Sequence, residues 1–225
     1  MGTGELDRGE SARLQILDAV VRLAESGRHS RQPEVAVIAQ AAGVTEGVFY
    51  EHFADEEEAF LAAFDQSIEI AESLIAAIPE QDQPWVEKLA AAIEASFEVV
   101  AAEPARAHLC LVASQSAGEG AVARYRSICA RAEEWLKPGR AHACGDHPLP
   151  ESLETFVVHG LAWLIQKRLV EGQLDGLKED LPDMVEFALT PYLSDAEAAR
   201  LGAESAWLEP PPGLRPPQPP RLHAL

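Results

Sequence analysis

Residues 35–53, VAVIAQAAGVTEGVFYEHF, constrain the fold more than any other stretch. Two short segments of helical apolar period lie either side of one glycine, which leaves room only for helix, tight turn, helix. Ile38 and Ala39 mark the inward face of the first helix, and Val44 and Phe49 point back at it from the second. Gly43 supplies the turn, where a left-handed backbone is free of strain only without a Cβ. Thr45 suits the N-cap of the second helix, because its hydroxyl can accept from an orphan amide there. In a helix-turn-helix the second helix enters the major groove of DNA, and its early residues meet base edges and phosphates.

AAGVTEGVFYEHF also resembles the signature of TetR-type transcriptional regulators. The shared pattern is Ile-Ala, then Ala-Gly-Val, a Thr, a Gly two residues on, and an aromatic pair closing in His-Phe. The likeness runs from about Ser11 to Phe64; the remainder resembles the family only as a helical ligand and dimer domain. The resemblance implies a homodimer that binds a palindromic double-stranded operator and leaves it when a small-molecule effector binds, as a repressor does. It also implies phosphate contacts from Thr45 and Tyr50. Beside these, Val48 suits a thymine methyl and His52 a phosphate or a base. Gly47 allows close approach to the DNA backbone, and Arg31, in the loop before the motif, is a further candidate phosphate contact.

Several residues depart from that pattern. Glu46 stands where the family is often basic, and Val48 where Thr or Ser is usual. Asp55, Glu56, Glu57 and Glu58 occupy the place of an expected lysine, and Pro33-Glu34 that of a polar cap. Up to Phe64 the chain has five arginines against twelve acids, and its first lysine is Lys88. The whole chain carries a formal charge of −19. DNA affinity rests largely on neutralised phosphates, so this balance favours a competing class: a ligand-binding or interaction protein on the same fold that has lost DNA binding.

The rest of the sequence reads as helices. Residues 1–10 are polar and read as a loose arm, and residues 11–26 as the helix that braces the motif. Asp55 caps a helix to about residue 78. Further helices are expected over 83–102, 104–116, 121–136, 151–171 and, after Pro182, 183–193, with a short one within 194–208. Residues 209–225 are proline-rich and read as an extended tail. The fold class is therefore all-α: a three-helix helix-turn-helix domain over 11–55, then a helical ligand-binding and dimerisation domain over 56–208.

Residues 151–171 and 183–193 are apolar on more than one face, the mark of a central helix or a partner surface. They resemble the family's dimer pair, and Phe156, Gly160, Leu164, Phe187 and Leu189 are the candidate interface residues. Polar or aromatic residues on apolar helices are the effector-site candidates: Phe97, His108, Cys110, Gln115, Tyr125, Trp135, His159 and Trp163. His159 and Trp163 are four apart and share a helix face.

No cofactor and no metal are expected. His142, Cys144 and His147 lie in one loop, but their spacing fits no standard zinc pattern. Nor is there a nucleophile elbow, a phosphate loop or a dinucleotide fingerprint, so an enzyme is the third and least supported class. Three unpatterned cysteines and a charged N-terminus point to the cytoplasm, and no apolar run approaches a membrane span.

Overall fold

The computed structural model describes residues 3–25, 33–75, 84–143 and 148–205. They form ten α-helices and two 3-10 turns, with no strand among the described residues. The first four helices are α1 (Thr3–Glu25), α2 (Val35–Ala42), α3 (Glu46–His52) and α4 (Glu56–Ile75). The other six are α5 (Trp85–Ala102), α6 (Pro104–Leu111), α7 (Glu119–Leu136), α8 (Leu153–Glu171), α9 (Gly176–Leu189) and α10 (Asp195–Glu204). The 3-10 turns are Ala113–Gln115, after α6, and Lys137–His142, after α7.

Local chemistry fixes the helix ends around the motif. Gly43 has φ 72° and closes α2: its amide donates to Gln40 and that of Val44 to Ala39, the two bonds of a Schellman cap. The Thr45 hydroxyl accepts from the Val48 amide at 3.2 Å and starts α3. Asp55 accepts from the Glu58 amide at 2.8 Å, while Glu58 reaches back to the Ala54 amide at 2.6 Å. Two carboxylates of the acidic run therefore form a reciprocal cap on α4, whose positive end also favours them.

Buried side chains form two hydrophobic cores. One joins Ile16, Leu17 and Val20 of α1 to Ile38, Phe49, Phe53, Phe60 and Phe64. It does not stop at residue 55: Leu109 and Cys110 of α6 and Ala121 of α7 belong to it. The other gathers α5, α8, α9 and α10 around Phe97, Val157, Leu181, Leu189 and Tyr192. Ala107 and Leu111 of α6 pack against this second core. The short α6 is thus wedged between both.

Two elements differ from the sequence expectation. The helix expected from residue 11 already runs from Thr3. Pro182 does not precede a helix but lies inside α9. Proline there removes one backbone donor and crowds the preceding turn. The fully or nearly buried stripe Leu177, Leu181, Met184, Val185, Ala188 and Leu189 outweighs that penalty.

Polar ties hold the second core together. Glu154, buried in α8, accepts from the Arg140 guanidinium at 2.8 and 2.6 Å and from the Tyr192 hydroxyl at 3.1 Å. The hydrogen bonds from Arg140 hold the Glu154 carboxyl below the usual carboxylate range. Arg168 makes a two-point ion pair with Asp180, at 2.8 and 2.9 Å, joining α8 to α9.

Candidate functional site

The motif presents one helix face outward. α3 buries Phe49 and, just past its end, Phe53, against α1 and α2. Arg13 of α1 lies over the Phe53 ring at 5.5 Å, and Arg22 donates to the Ala41 carbonyl of α2 at 3.0 Å. Arg13 and Arg22 are therefore already engaged. With Phe49 inward, the helical period turns Glu46, Gly47, Tyr50 and Glu51 to solvent, and all four are exposed. Val48 and His52 are half-buried on the flank of α3 rather than on this face.

Of the sequence candidates for DNA contact, Thr45, Gly47 and Tyr50 are thus exposed. Tyr50 is 55 % exposed. A Cβ added at Gly47 would meet nothing closer than the Thr45 hydroxyl at 3.7 Å, so nothing within the chain requires a glycine there. The Thr45 hydroxyl has one lone pair committed to the cap and keeps its proton to donate. Arg31 lies outside the described residues. From Pro33 to Glu58 there is no lysine or arginine.

The structure does not gather the effector candidates around one cavity. Phe97 is 1 % exposed, inside the second core, and Cys110 is 5 % exposed inside the first, where burial raises its thiol pKa to about 12. Both are core residues. Trp135 is exposed, and its carbonyl accepts from the Trp85 indole at 2.7 Å, beside a stack of Trp85 on His142. His108 is half-buried, its buried Nδ1 has no hydrogen-bond partner among the described residues, and burial lowers its pKa. His159 and Trp163 do share a face of α8, but that face is exposed, and the His159 Nδ1 donates only to the Thr155 carbonyl of its own helix, 3.0 Å away.

Two smaller groupings do form. Tyr125 of α7 meets the His159 ring edge-on at 6.4 Å, and its hydroxyl accepts from Gln166 at 3.2 Å. Burial raises the Tyr125 pKa to about 12, so its hydroxyl is neutral. Gln115 and Trp163 line opposite sides of an open groove of about 430 Å³ between the Ala113–Gln115 turn and α8. Val112, Gln166, Lys167 and Val170 complete its walls. Gln166, Lys167 and Val170 are not among the sequence candidates. The signal for Lys167 and Val170 is the helical spacing 156, 163, 167, 170 on one side of α8.

That side of α8 exposes several large apolar side chains. Phe156 is 70 % exposed, Trp163 61 % and Val170 66 %, and Phe187 of α9, at 51 %, lies over Gly160. Three of the interface candidates, Phe156, Gly160 and Phe187, are therefore on it. Leu189 is not: it is fully buried in the second core, because the α9 stripe that contains it faces inward. Leu164 is half-buried against the same core. Among the described residues no helix is long and apolar enough to cross a membrane.

The sequence matches no family model, and a search of curated proteins gives no match. Solved structures do share the fold. The transcriptional regulator FadR from Bacillus subtilis, in complex with stearoyl-CoA, aligns with a TM-score of 0.64 at 22 % identity, over 79 % of this chain and 98 % of that one. A TetR family transcription regulator from Marinobacter aquaeolei VT8 aligns with a TM-score of 0.59 at 24 % identity, over 82 % and 97 %. The superantigen PfiT aligns with a TM-score of 0.58 at 20 % identity, over 83 % and 98 %. At such identities the likeness establishes the fold, and function is argued from the site.

Proposed function

We propose that this chain, which has the all-α fold of TetR-family regulators, is a ligand-responsive DNA-binding transcriptional regulator acting as a homodimer. The observation that carries the reading is the exposed outer face of α3. A capped helix, braced from behind by α1 and α2, turns Gly47 and Tyr50 to solvent, and Gly47 has no packing reason to be glycine. A side-chain-free position on an exposed reading helix suits close approach to a DNA backbone. Tyr50 would donate its hydroxyl to a phosphate, and Thr45 its remaining proton. The exposed α8 and α9 face would pair two copies, as a two-fold operator requires.

The role is that of a repressor released by an apolar effector. The stearoyl-CoA bound to the Bacillus subtilis FadR supports an apolar class of effector. Selection of bound fragments from random duplex DNA at low salt tests the reading: a recovered palindrome supports it, and no enrichment over input counts against it.

A second reading is favoured by the charge of the same face. Glu46 and Glu51 flank Tyr50, and no lysine or arginine lies between Pro33 and Glu58. Like charges repel phosphates, so a helical ligand-binding or interaction protein that has lost its operator fits those residues. The same selection separates the two.

A further inference from the structure

We propose that the groove between the Ala113–Gln115 turn and α8 is one part of a binding site for an anionic amphiphile, and that the second copy of the chain closes it. The inference rests on the dimer and effector reading above and adds to it a place and a ligand class.

The groove is built for such a molecule. Its walls are apolar at Val112, Trp163 and Val170. Its cation is Lys167, whose ammonium lies 5.7 Å from the centre of the Trp163 ring. Lys167 makes no salt bridge among the described residues, in a chain of net charge −19 where carboxylates are abundant. A cation left unpaired in such a chain is available to an anion from outside. Amide donors lie beside it. Gln166 is held by the Tyr125 hydroxyl and Gln115 by the Leu111 carbonyl, and each amide nitrogen keeps a second proton. A carboxylate or acyl phosphate head would sit at Lys167 and the two amides, and its hydrocarbon part along Trp163 and Val170.

The groove is also incomplete. Its volume of about 430 Å³ is ample for a small ligand, but Trp163 and Val170 remain more than half exposed. Sites for small ligands bury most of the ligand's surface. Trp163, Lys167 and Val170 lie on the same side of α8 as Phe156, and Phe187 continues that surface. A second copy whose contact runs along this side of α8 from Phe156 to Val170 covers the open side of the groove. Binding and dimerisation are then linked: a ligand that needs the lid tightens the dimer, and the dimer tightens the ligand.

Sodium laurate below its micelle concentration, with dodecanol as the uncharged probe, tests this on the full chain. Calorimetry should show saturable laurate binding, and sedimentation should show a tighter dimer with laurate present. Lys167→Gln should weaken laurate by about tenfold while leaving dodecanol within about twofold. Phe156→Glu, at an exposed position, should yield a folded monomer that binds both probes more weakly. Laurate bound equally tightly by that monomer overturns closure by the second copy, and laurate unaffected by Lys167→Gln overturns the anion site. A native dimer that binds no laurate removes this inference alone. A chain that stays monomeric with and without laurate removes the dimer reading as well.

Discussion

Arg106 of α6 donates to the Asp18 carboxylate of α1 across 3.1 Å, and so ties the helix wedged between the two cores to the helix that braces the motif. The same guanidinium lies 3.4 Å from Gln66 and Ser67 of α4 and 3.5 Å from Glu103. Asp18 is half exposed, so its share of the pair is modest. Asp18→Asn should cost about 0.5 kcal/mol. Arg106→Ala removes contacts to α1, to α4 and to Glu103 at the α5–α6 junction, and should cost about 1–2 kcal/mol. Denaturant unfolding of the two variants and the double variant checks both the sizes and the coupling; equal losses from the two single changes would contradict the hub role of Arg106.

Gly47→Ala separates folding from function. The alanine Cβ makes only an ordinary contact with the Thr45 hydroxyl at 3.7 Å, and glycine in a helix loses more backbone entropy on folding. The variant should gain about 0.5 kcal/mol in stability. If α3 lies close against a DNA backbone, the same methyl should weaken duplex binding. A variant that is more stable and binds a selected duplex as tightly as the native chain would show that no backbone approaches that position.

Much of the motif was legible from sequence because its signals are local. Gly43, Thr45 and the 3.6-residue spacing of Ile38, Phe49 and Phe53 each specify a cap or a face within a few residues. Pro182 was misleading, since proline as a helix breaker is a local rule and burial of the α9 stripe is a tertiary one. The effector candidates lie apart from one another for a related reason. Phe97, Trp135 and Trp163 look alike in sequence, yet one is core, one lies beside Trp85 and one is on the α8 surface. Leu189 and Phe187 are two residues apart on α9, and only packing against α8 and α10 decides which faces inward.

The dimer surface is tested best at a residue with no role in the monomer. Leu164 packs against the second core, so a charge there would unfold the chain as well as split it. Phe156 is 70 % exposed. Phe156→Glu should leave the melting temperature of the monomer nearly unchanged and shift sedimentation from dimer to monomer. An unaltered dimer would place the interface elsewhere.

Glu154 sets a pH dependence on stability. Its carboxyl pKa is lowered in the folded chain, chiefly by Arg140, then by its backbone and Tyr192 hydrogen bonds. The stabilisation is therefore fully present above the unfolded glutamate pKa of about 4.3 and is lost as pH falls through the lower folded value. Glu154→Gln should cost about 1–3 kcal/mol at neutral pH, because the Arg140 pair is broken inside the core, and should flatten the acid limb of stability against pH. Unfolding curves from pH 7 down to pH 3 check this; parallel limbs for the two proteins would contradict it.

In the proposed function α3 reads DNA while few cations neutralise phosphates. Anisotropy titrations of a selected palindromic duplex across a salt series, with the native chain and Glu56→Lys, check this. The native chain should bind saturably at low salt, with a shallow fall of log K against log salt, since the slope counts neutralised phosphates. Glu56→Lys places a cation at the start of α4, just past α3, and should tighten binding to all sequences by a similar factor and steepen the slope by about one per subunit. If neither protein shows saturable binding to any selected duplex at low salt, the chain is not a DNA-binding regulator.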